Sequence, residues 1–276
     1  MKRTTLFWIL SILVTLLSAY YQRVTGPTYP LSGRATIAGS DIPYRLLRSH
    51  GGETDCPVEV VVNDSAVAGA LEWKRYKTLD GWNAEKMTSQ GGVLCGTLPH
   101  QPPAGKLQYR VRLAKGSVQT VIPSELGTIV RFKGDVPIWI IIPHVLAMFM
   151  AMMLSLRTGM EYFNPVPNMK RLLLWTLGTL FIGGFILGPA MQWYAFGAWW
   201  TGWPFGGDMT DNKTLVAFVG WLAALVVLLR GKDARRWGLA AAIIMFIVYM
   251  IPHSVLGSEL NYQELDRQKS ESAQPK

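Results

Sequence analysis

Five apolar stretches without internal charge dominate this sequence, and they restrict its fold more than any other feature. They occupy residues 6–21, 136–156, 172–190, 215–229 and 237–251. A bilayer core of roughly 30 Å needs about 20 apolar residues in a helix, and a soluble core helix of that length rarely lacks charge. The sequence therefore predicts five transmembrane helices. The first follows Lys2 and Arg3; it is interpreted as an uncleaved anchor, or as a signal-like segment with a possible cleavage site at Leu17-Ser18-Ala19.

The placement of charge predicts an orientation. The chain has a formal net charge of +9. If the N-terminus lies inside, the inner ends and loops hold nine basic residues against two acidic ones, whereas the outer loop 191–213 holds one Lys and two Asp. Because basic residues accumulate in cytoplasmic loops, we predict an N-in, C-out bacterial inner-membrane protein. The positive balance then reflects topology, and it does not indicate a nucleic-acid partner.

Residues 22–135 differ from the rest because they are polar and interrupted by Gly and Pro. Short alternating runs at 33–38, 58–62, 71–77, 92–98, 107–113, 118–122 and 128–132 predict strands. Trp73 lies in a central predicted strand, and residues 105–111 follow a proline turn. In these features the segment resembles immunoglobulin-like or fibronectin III-like domains of bacterial envelope proteins. That resemblance implies a β-sandwich on the periplasmic side, and no particular activity.

The predicted organisation is therefore mixed and multi-domain. It comprises an anchor at 1–21, a β-sandwich at 22–135, a four-helix transmembrane domain at 136–257 and a polar tail at 258–276. Cys56 and Cys95, the only cysteines, both fall in the predicted periplasmic sandwich. Because that compartment is oxidising, we predict a disulfide between them.

Two histidines in the predicted membrane domain are candidate cofactor ligands. His144 and His253 each follow a proline, and the predicted topology places both in the outer half of the bilayer. Ionisable groups in spans are functional candidates by default, and two imidazoles can ligate a b-type haem axially. The alternative is that each imidazole binds a backbone carbonyl that proline leaves unpaired. Met148 and Met152 share a helical face with His144, a combination of ligands suited to Cu(I).

The predicted outer loop is unusually aromatic, with seven aromatic residues between positions 193 and 205. It is interpreted either as an interfacial belt or as a lid or partner-binding segment. The candidates for that second role are Trp199, Trp200, Trp203 and Phe205. Thr210 or Asp211 is expected to cap the next helix, which leaves Asp208 as the candidate carboxylate beside the histidines or a metal.

Catalytic sequence motifs are missing. The chain contains no P-loop, GxSxG, HExxH or GxGxxG pattern. We therefore predict a binding or structural subunit of a larger envelope or respiratory-type complex, more plausibly a non-enzyme than an enzyme. Its expected partners are the lipid bilayer and other membrane or periplasmic proteins. The alternative is a membrane electron-transfer or cofactor-binding protein that uses His144 and His253 with haem b or copper.

Overall fold

The computed structural model describes residues 3–252, 257 and 259–272. The chain divides into two compact units. The helical unit comprises Met1–Pro27 and Val136–Ser258, and the β unit comprises Thr28–Asp135 and Glu259–Lys276. Each unit is therefore assembled from two separate segments of the chain.

The helices of the described residues are α1 to α7 in chain order. Their bounds are Arg3–Thr25, Ile138–Gly159, Met169–Phe181, Gly188–Phe196, Met209–Leu229, Arg235–Met250 and Tyr262–Ser272. A 3-10 turn, Met160–Phe163, continues α2, and a π-helical segment, Ile182–Leu187, joins α3 to α4. The first six helices belong to the helical unit and α7 belongs to the β unit.

The first helix turns small polar residues inward and large apolar residues outward. Helix α1 buries Ser11, Thr15 and Ser18, whereas Leu16 and Leu17 on its other face are exposed. Small polar residues at helix contacts and large apolar residues outside are typical of helices packed in lipid. Among the described residues, four helical stretches are long and apolar enough to cross a membrane: Arg3–Thr25, Ile138–Phe163, Met169–Phe196 and Met209–Leu229. The helical unit thus fits a membrane protein.

The predicted fold class, with five transmembrane helices, is wrong in its count. Helix α6 has only 16 residues, about 24 Å at 1.5 Å per residue, which is shorter than the hydrocarbon core. It ends at Met250 because Pro252 disfavours a helical conformation for the preceding residue, and Ile251 is extended, with φ −71° and ψ 116°. The predicted C-out orientation depended on an odd number of crossings, so it fails with the count.

The predicted fold class, described as a sandwich and then a membrane bundle, is also wrong in its order, because a helix comes first and the anchor predicted at 1–21 is part of the helical unit. Helix α1 comes first and belongs to the helical unit, so the β unit is an insertion between α1 and α2. The close helix contacts explain this arrangement, since α1 buries its polar stripe against the rest of the unit. A sequence reading by segments treated the first helix as a separate anchor.

The β unit has eleven strands in its described residues, β1 to β11. They are Leu31–Ile37, Ser40–Leu46, Ser49–Gly51, Cys56–Val61, Ala68–Arg75, Asn83–Lys86, Thr88–Gln90, Val93–Leu98, Lys106–Lys115, Val118–Ile122 and Thr128–Lys133. One sheet has the order β1-β2-β4-β8-β7, and the other has β3-β11-β9-β5-β6, with β10 also paired to β9. All pairs are antiparallel except β3 with β11. Alternating residues of both sheets form one core around Leu107, Tyr109 and Phe132.

The predicted immunoglobulin-like or fibronectin III-like arrangement of seven strands is wrong. The seven predicted runs coincide with β1, β4, β5, β8, β9, β10 and β11, but four further strands complete the sheets. Strands β6 and β7 are wholly exposed and show no alternation, and β2 contains Pro43. Such strands form because a neighbouring strand offers backbone partners, which leaves no pattern in the sequence.

The predicted disulfide is wrong as well, because Cys56 and Cys95 are free cysteines. In the β4–β8 ladder Cys56 is opposite Leu98 and Cys95 is opposite Glu59, so the two cysteines are three positions apart, about 10 Å along the strands. They also point to opposite faces, because Cys56 is buried in the core and Cys95 lies beside inward-facing Leu94. This geometry does not allow a bridge.

The described residues of the polar tail, 259–272, pack within the β unit. Tyr262 is buried at the start of α7; its hydroxyl accepts from the Lys106 backbone N–H at 3.0 Å and donates to Gln101 Oε1 at 3.0 Å. Glu259 forms ion pairs with Lys106 and Lys77 at 2.6 and 2.7 Å. Burial alone would raise the pKa of Glu259, but these hydrogen bonds outweigh it and the pKa is lowered. Residues 259–272 are therefore held against the sheets by the ion pairs of Glu259 and by the buried side chain of Tyr262.

Candidate functional site

The best-defined polar arrangement of the helical unit lies beneath the segment that joins α4 to α5, residues 197–207, which we call the aromatic loop. Helix α4 ends at Gly197, whose φ of +73° is left-handed and suits a residue without Cβ. Trp199, Trp203 and Phe205 are 56%, 69% and 82% exposed. Trp200 instead stacks on Phe185 of the π-helical segment at 5.6 Å. Of the four predicted lid residues, Trp200 is therefore packed against the helices and the other three are exposed.

Asp211, in the first turn of α5, holds the aromatic loop in place. Its Oδ2 atom accepts the backbone N–H groups of Thr201 at 2.7 Å and Gly202 at 3.0 Å. The residue is only 8% exposed. A buried carboxylate is costly unless its oxygens are hydrogen-bonded, so these bonds give Asp211 a structural reason to be there. Gly202 permits the close approach, because a Cβ at this position would lie 2.5 Å from Asp211 Cβ.

Neighbouring side chains complete the fastening of the aromatic loop. Asn212 Oδ1 accepts the Trp203 N–H at 2.7 Å, and Gln192 of α4 donates to the Thr201 hydroxyl. Gln192 Oε1 is buried and has no hydrogen-bond partner among the described residues. Lys213, which is also buried, donates to the Ile251 carbonyl at 2.6 Å and so ties α5 to the end of α6.

The residue that caps α5 is Asp208, and not Thr210 or Asp211 as expected. The N-cap of α5 is Asp208, whose Oδ1 accepts the N–H groups of Thr210 at 2.7 Å and Asp211 at 3.4 Å. The expectation that Thr210 or Asp211 caps the helix is wrong. Asp208 caps the helix, and Asp211 is the carboxylate that binds the loop. A role for Asp208 beside the histidines or a metal stays a prediction. The helix begins two to three residues earlier than the sequence predicts, and this shift alone changes which residue is the cap.

His144 is bound to a backbone carbonyl. Its Nδ1 lies 3.0 Å from the Gly183 oxygen, and because a carbonyl can only accept, Nδ1 carries the proton and Nε2 is the acceptor nitrogen. The same oxygen accepts the Gly188 N–H in the π-helical pattern. The carbonyl therefore belongs to the π-helical segment, and it is not one freed by the proline before His144. His253 lies outside the described residues.

The two methionines predicted as copper ligands pack against other residues of the helical unit. Met152 is fully buried in the core of the helical unit. Met148 lies against Gly183, where an added Cβ would be 2.8 Å from its Sδ. No group of three or more His, Cys, Asp or Glu that could hold a metal ion occurs within the part of the chain that the structure describes. Both methionines thus have packing roles, while haem or copper binding stays a prediction.

The hydrogen bonds of this site hold the aromatic loop in one conformation. Apart from Gln192 Oε1, the described polar groups of the site form hydrogen bonds that hold the loop and the ends of α4, α5 and α6. The side chains left facing outward are aromatic. Sequence reasoning missed Asp211 and Gln192 as loop anchors; the signal available was a carboxylate and an amide flanking a Gly-rich and Trp-rich turn. Comparison of the sequence with protein-family models and with curated proteins finds no match.

Proposed function

We propose that this protein is a binding subunit of a membrane assembly, and that the aromatic loop is its preformed docking surface. One observation carries the proposal. Trp199, Trp203 and Phe205 project from a loop whose backbone is held by a buried carboxylate, yet the three side chains remain largely exposed.

The energetic argument is one of preorganisation. Holding a loop in its bound conformation removes an ordering cost that binding would otherwise incur. Tryptophan and other large aromatics dominate binding energy at protein interfaces. Three exposed aromatics on a fastened loop therefore suit protein docking, whereas a simple interfacial belt needs only one or two anchors at each end of a helix.

Site-directed photocrosslinking tests this function in native membranes. A photoreactive phenylalanine analogue replaces Phe205, and a second protein carries the analogue at Val219, an exposed position in the middle of α5. We expect Phe205 to give one discrete protein adduct that disappears in the Asp211→Ala background, because the loop is then released. If Phe205 instead gives the same diffuse lipid adducts as Val219, the loop is an interfacial belt and the proposal is wrong.

A second candidate function, cofactor binding through His144, is favoured by one contact. Metal-ligating histidines usually donate their other ring N–H to a carbonyl or carboxylate, and the Gly183 oxygen takes that role here. An absorption spectrum and elemental analysis of the purified protein test this candidate. A Soret band or bound copper that is lost in His144→Ala would support it, whereas a colourless, metal-free protein would exclude it.

A further inference from the structure

A groove of about 640 Å³ lies in the helical unit, at the end of the helices opposite the aromatic loop. It is formed where α2 ends, α3 begins and α1 begins. Helix α6 begins nearby, since a Cβ on Gly159 would lie 2.6 Å from Ala242 and one on Gly238 would lie 2.0 Å from Met169. Most of the basic residues of the helical unit are therefore at this end: Arg3, Arg157, Lys170, Arg171, Arg230, Lys232, Arg235 and Arg236.

The groove is polar at the helix ends and apolar along the helices. Arg157, Asn164 and Arg171 line its polar part, while Leu154 and Trp175 contribute to its apolar wall. Its lining along α3 extends from residue 168 to residue 179, about 16 Å at 1.5 Å per residue. This is close to half of the roughly 30 Å hydrocarbon core. The groove therefore matches one leaflet, with its polar part at the surface.

Arg157 is the most unusual side chain in the groove, because it is charged and only 3% exposed. Its Nη1 pairs with Glu161, and its guanidinium lies 5.6 and 5.4 Å from the rings of Phe7 and Trp8. Its Nε–H is buried and has no acceptor among the described residues. One donor of a buried cation is thus left without a partner in the part of the chain that the structure describes.

The carboxylate of Glu161 does not neutralise the groove as a whole. Its oxygens are engaged by Arg157, by Asn164 Nδ2 at 3.2 and 3.3 Å and by the Asn168 N–H at 2.6 Å. Arg171 is exposed and forms no ion pair within the described residues. The groove therefore keeps one net positive charge, carried at its surface by the exposed Arg171, and it attracts an anion.

We propose that this groove binds one anionic phospholipid, with its phosphate at the exposed Arg171, beside the buried Arg157–Glu161 pair, and an acyl chain along Leu154 and Trp175. Basic pockets between membrane helices recognise anionic headgroups. A free phosphate would satisfy the charge and would leave the apolar wall uncovered, whereas a phospholipid covers both parts. The lipid is therefore the occupant that the shape and the charge together require.

Native mass spectrometry of the full-length protein tests the site, with phosphatidylglycerol and phosphatidylcholine of identical acyl chains as probes. The variant is Arg171→Gln, and the matched control is Lys170→Gln, which removes the same charge from an exposed neighbour that does not line the groove. We expect phosphatidylglycerol to be retained in preference to phosphatidylcholine. Arg171→Gln should weaken its retention about fivefold, since a basic residue near the surface contributes about 1 kcal/mol, and Lys170→Gln should leave it unchanged.

Three results would overturn the proposal: equal loss in both variants, equal retention of both lipids, or displacement of phosphatidylglycerol by excess inorganic phosphate. Equal loss would show a general charge effect, and displacement by phosphate would show a site for the free ion. None of these outcomes bears on the aromatic loop, which lies at the other end of the helices.

Discussion

Removal of the Asp211 carboxylate should release the aromatic loop without unfolding the helices. In Asp211→Ala the N–H groups of Thr201 and Gly202 lose their acceptor, which they contact at 2.7 and 3.0 Å. Hydrogen bonds to a charged group contribute about 1.5–3 kcal/mol each. The two bonds together predict a loss of about 3–6 kcal/mol of local stability. Asp211→Asn retains an oxygen acceptor, so the neutral bonds should preserve about half of that stabilisation.

Hydrogen–deuterium exchange of the loop peptide, followed by mass spectrometry in a detergent micelle, measures this effect. Because about 1.4 kcal/mol corresponds to a factor of ten, we expect exchange at Thr201 and Gly202 to accelerate about 100-fold or more in Asp211→Ala. The acceleration should be smaller in Asp211→Asn. The matched control is Asp233→Ala, which removes an exposed carboxylate of the α5–α6 turn and should leave the loop unchanged.

The reasoning would be refuted if the loop amides of Asp211→Ala exchanged at the same rate as those of the wild-type protein. It would also be refuted if Asp211→Asn behaved like Asp211→Ala, because acceptance of the two N–H groups would then be irrelevant. A comparable acceleration in Asp233→Ala would show that the loop responds to general loss of stability and that Asp211 is not its anchor.

Two further predictions concern the β unit. A thiol reagent should label Cys95 in the native protein and reach Cys56 only after unfolding, because Cys56 is fully buried and burial raises its pKa to about 11. Equal labelling of both cysteines, or an intramolecular disulfide in the unreduced protein, would contradict the structure. Glu72 is held by Arg112 and Arg110 at 2.8 and 2.5 Å, and the hydrogen bond from Arg112, opposed by burial and aided by Arg110, lowers the pKa of Glu72. The ionised Glu72 contributes about 1–3 kcal/mol to stability; this contribution is present above the unfolded pKa near 4.3 and is lost as the pH falls through the lower folded pKa. Glu72→Gln should therefore lower the melting temperature measured calorimetrically at pH 7, and the melting temperature of the variant should decline less below about pH 4. An unchanged pH profile would count against this role.

Several features of the fold could be read from the sequence because they arise from local composition. Uncharged apolar runs predict membrane helices, since a lipid-exposed helix must be apolar along its length, and four such helices are present in the described residues. The exception is α6, where the predicted run 237–251 and the helix Arg235–Met250 nearly coincide but are both shorter than about 20 residues. The error was to count so short an apolar run as a crossing.

The candidate site was less predictable because its contacts join residues that are distant in sequence. The aromatic loop is recognisable from its composition, but its anchor was not predicted, because Asp211 was expected to cap α5. Asp208 and Asp211 are three residues apart, and only the actual start of α5 decides which one caps the helix. From the sequence alone, Arg157 and Glu161 are charges at the end of an apolar run, since their burial depends on packing by α1 and α3.

The sequence by itself determined the apolar helices, the polar β segment between the first two of them, and the aromatic character of one loop. These properties depend on hydrophobicity and on patterns within a few residues. The tertiary structure alone decided that α1 packs with the later helices, that Cys56 and Cys95 face apart, that Tyr262 docks the tail, and that Arg157 is buried beside a groove. Each of these outcomes depends on which surfaces meet, and no local pattern records such a contact.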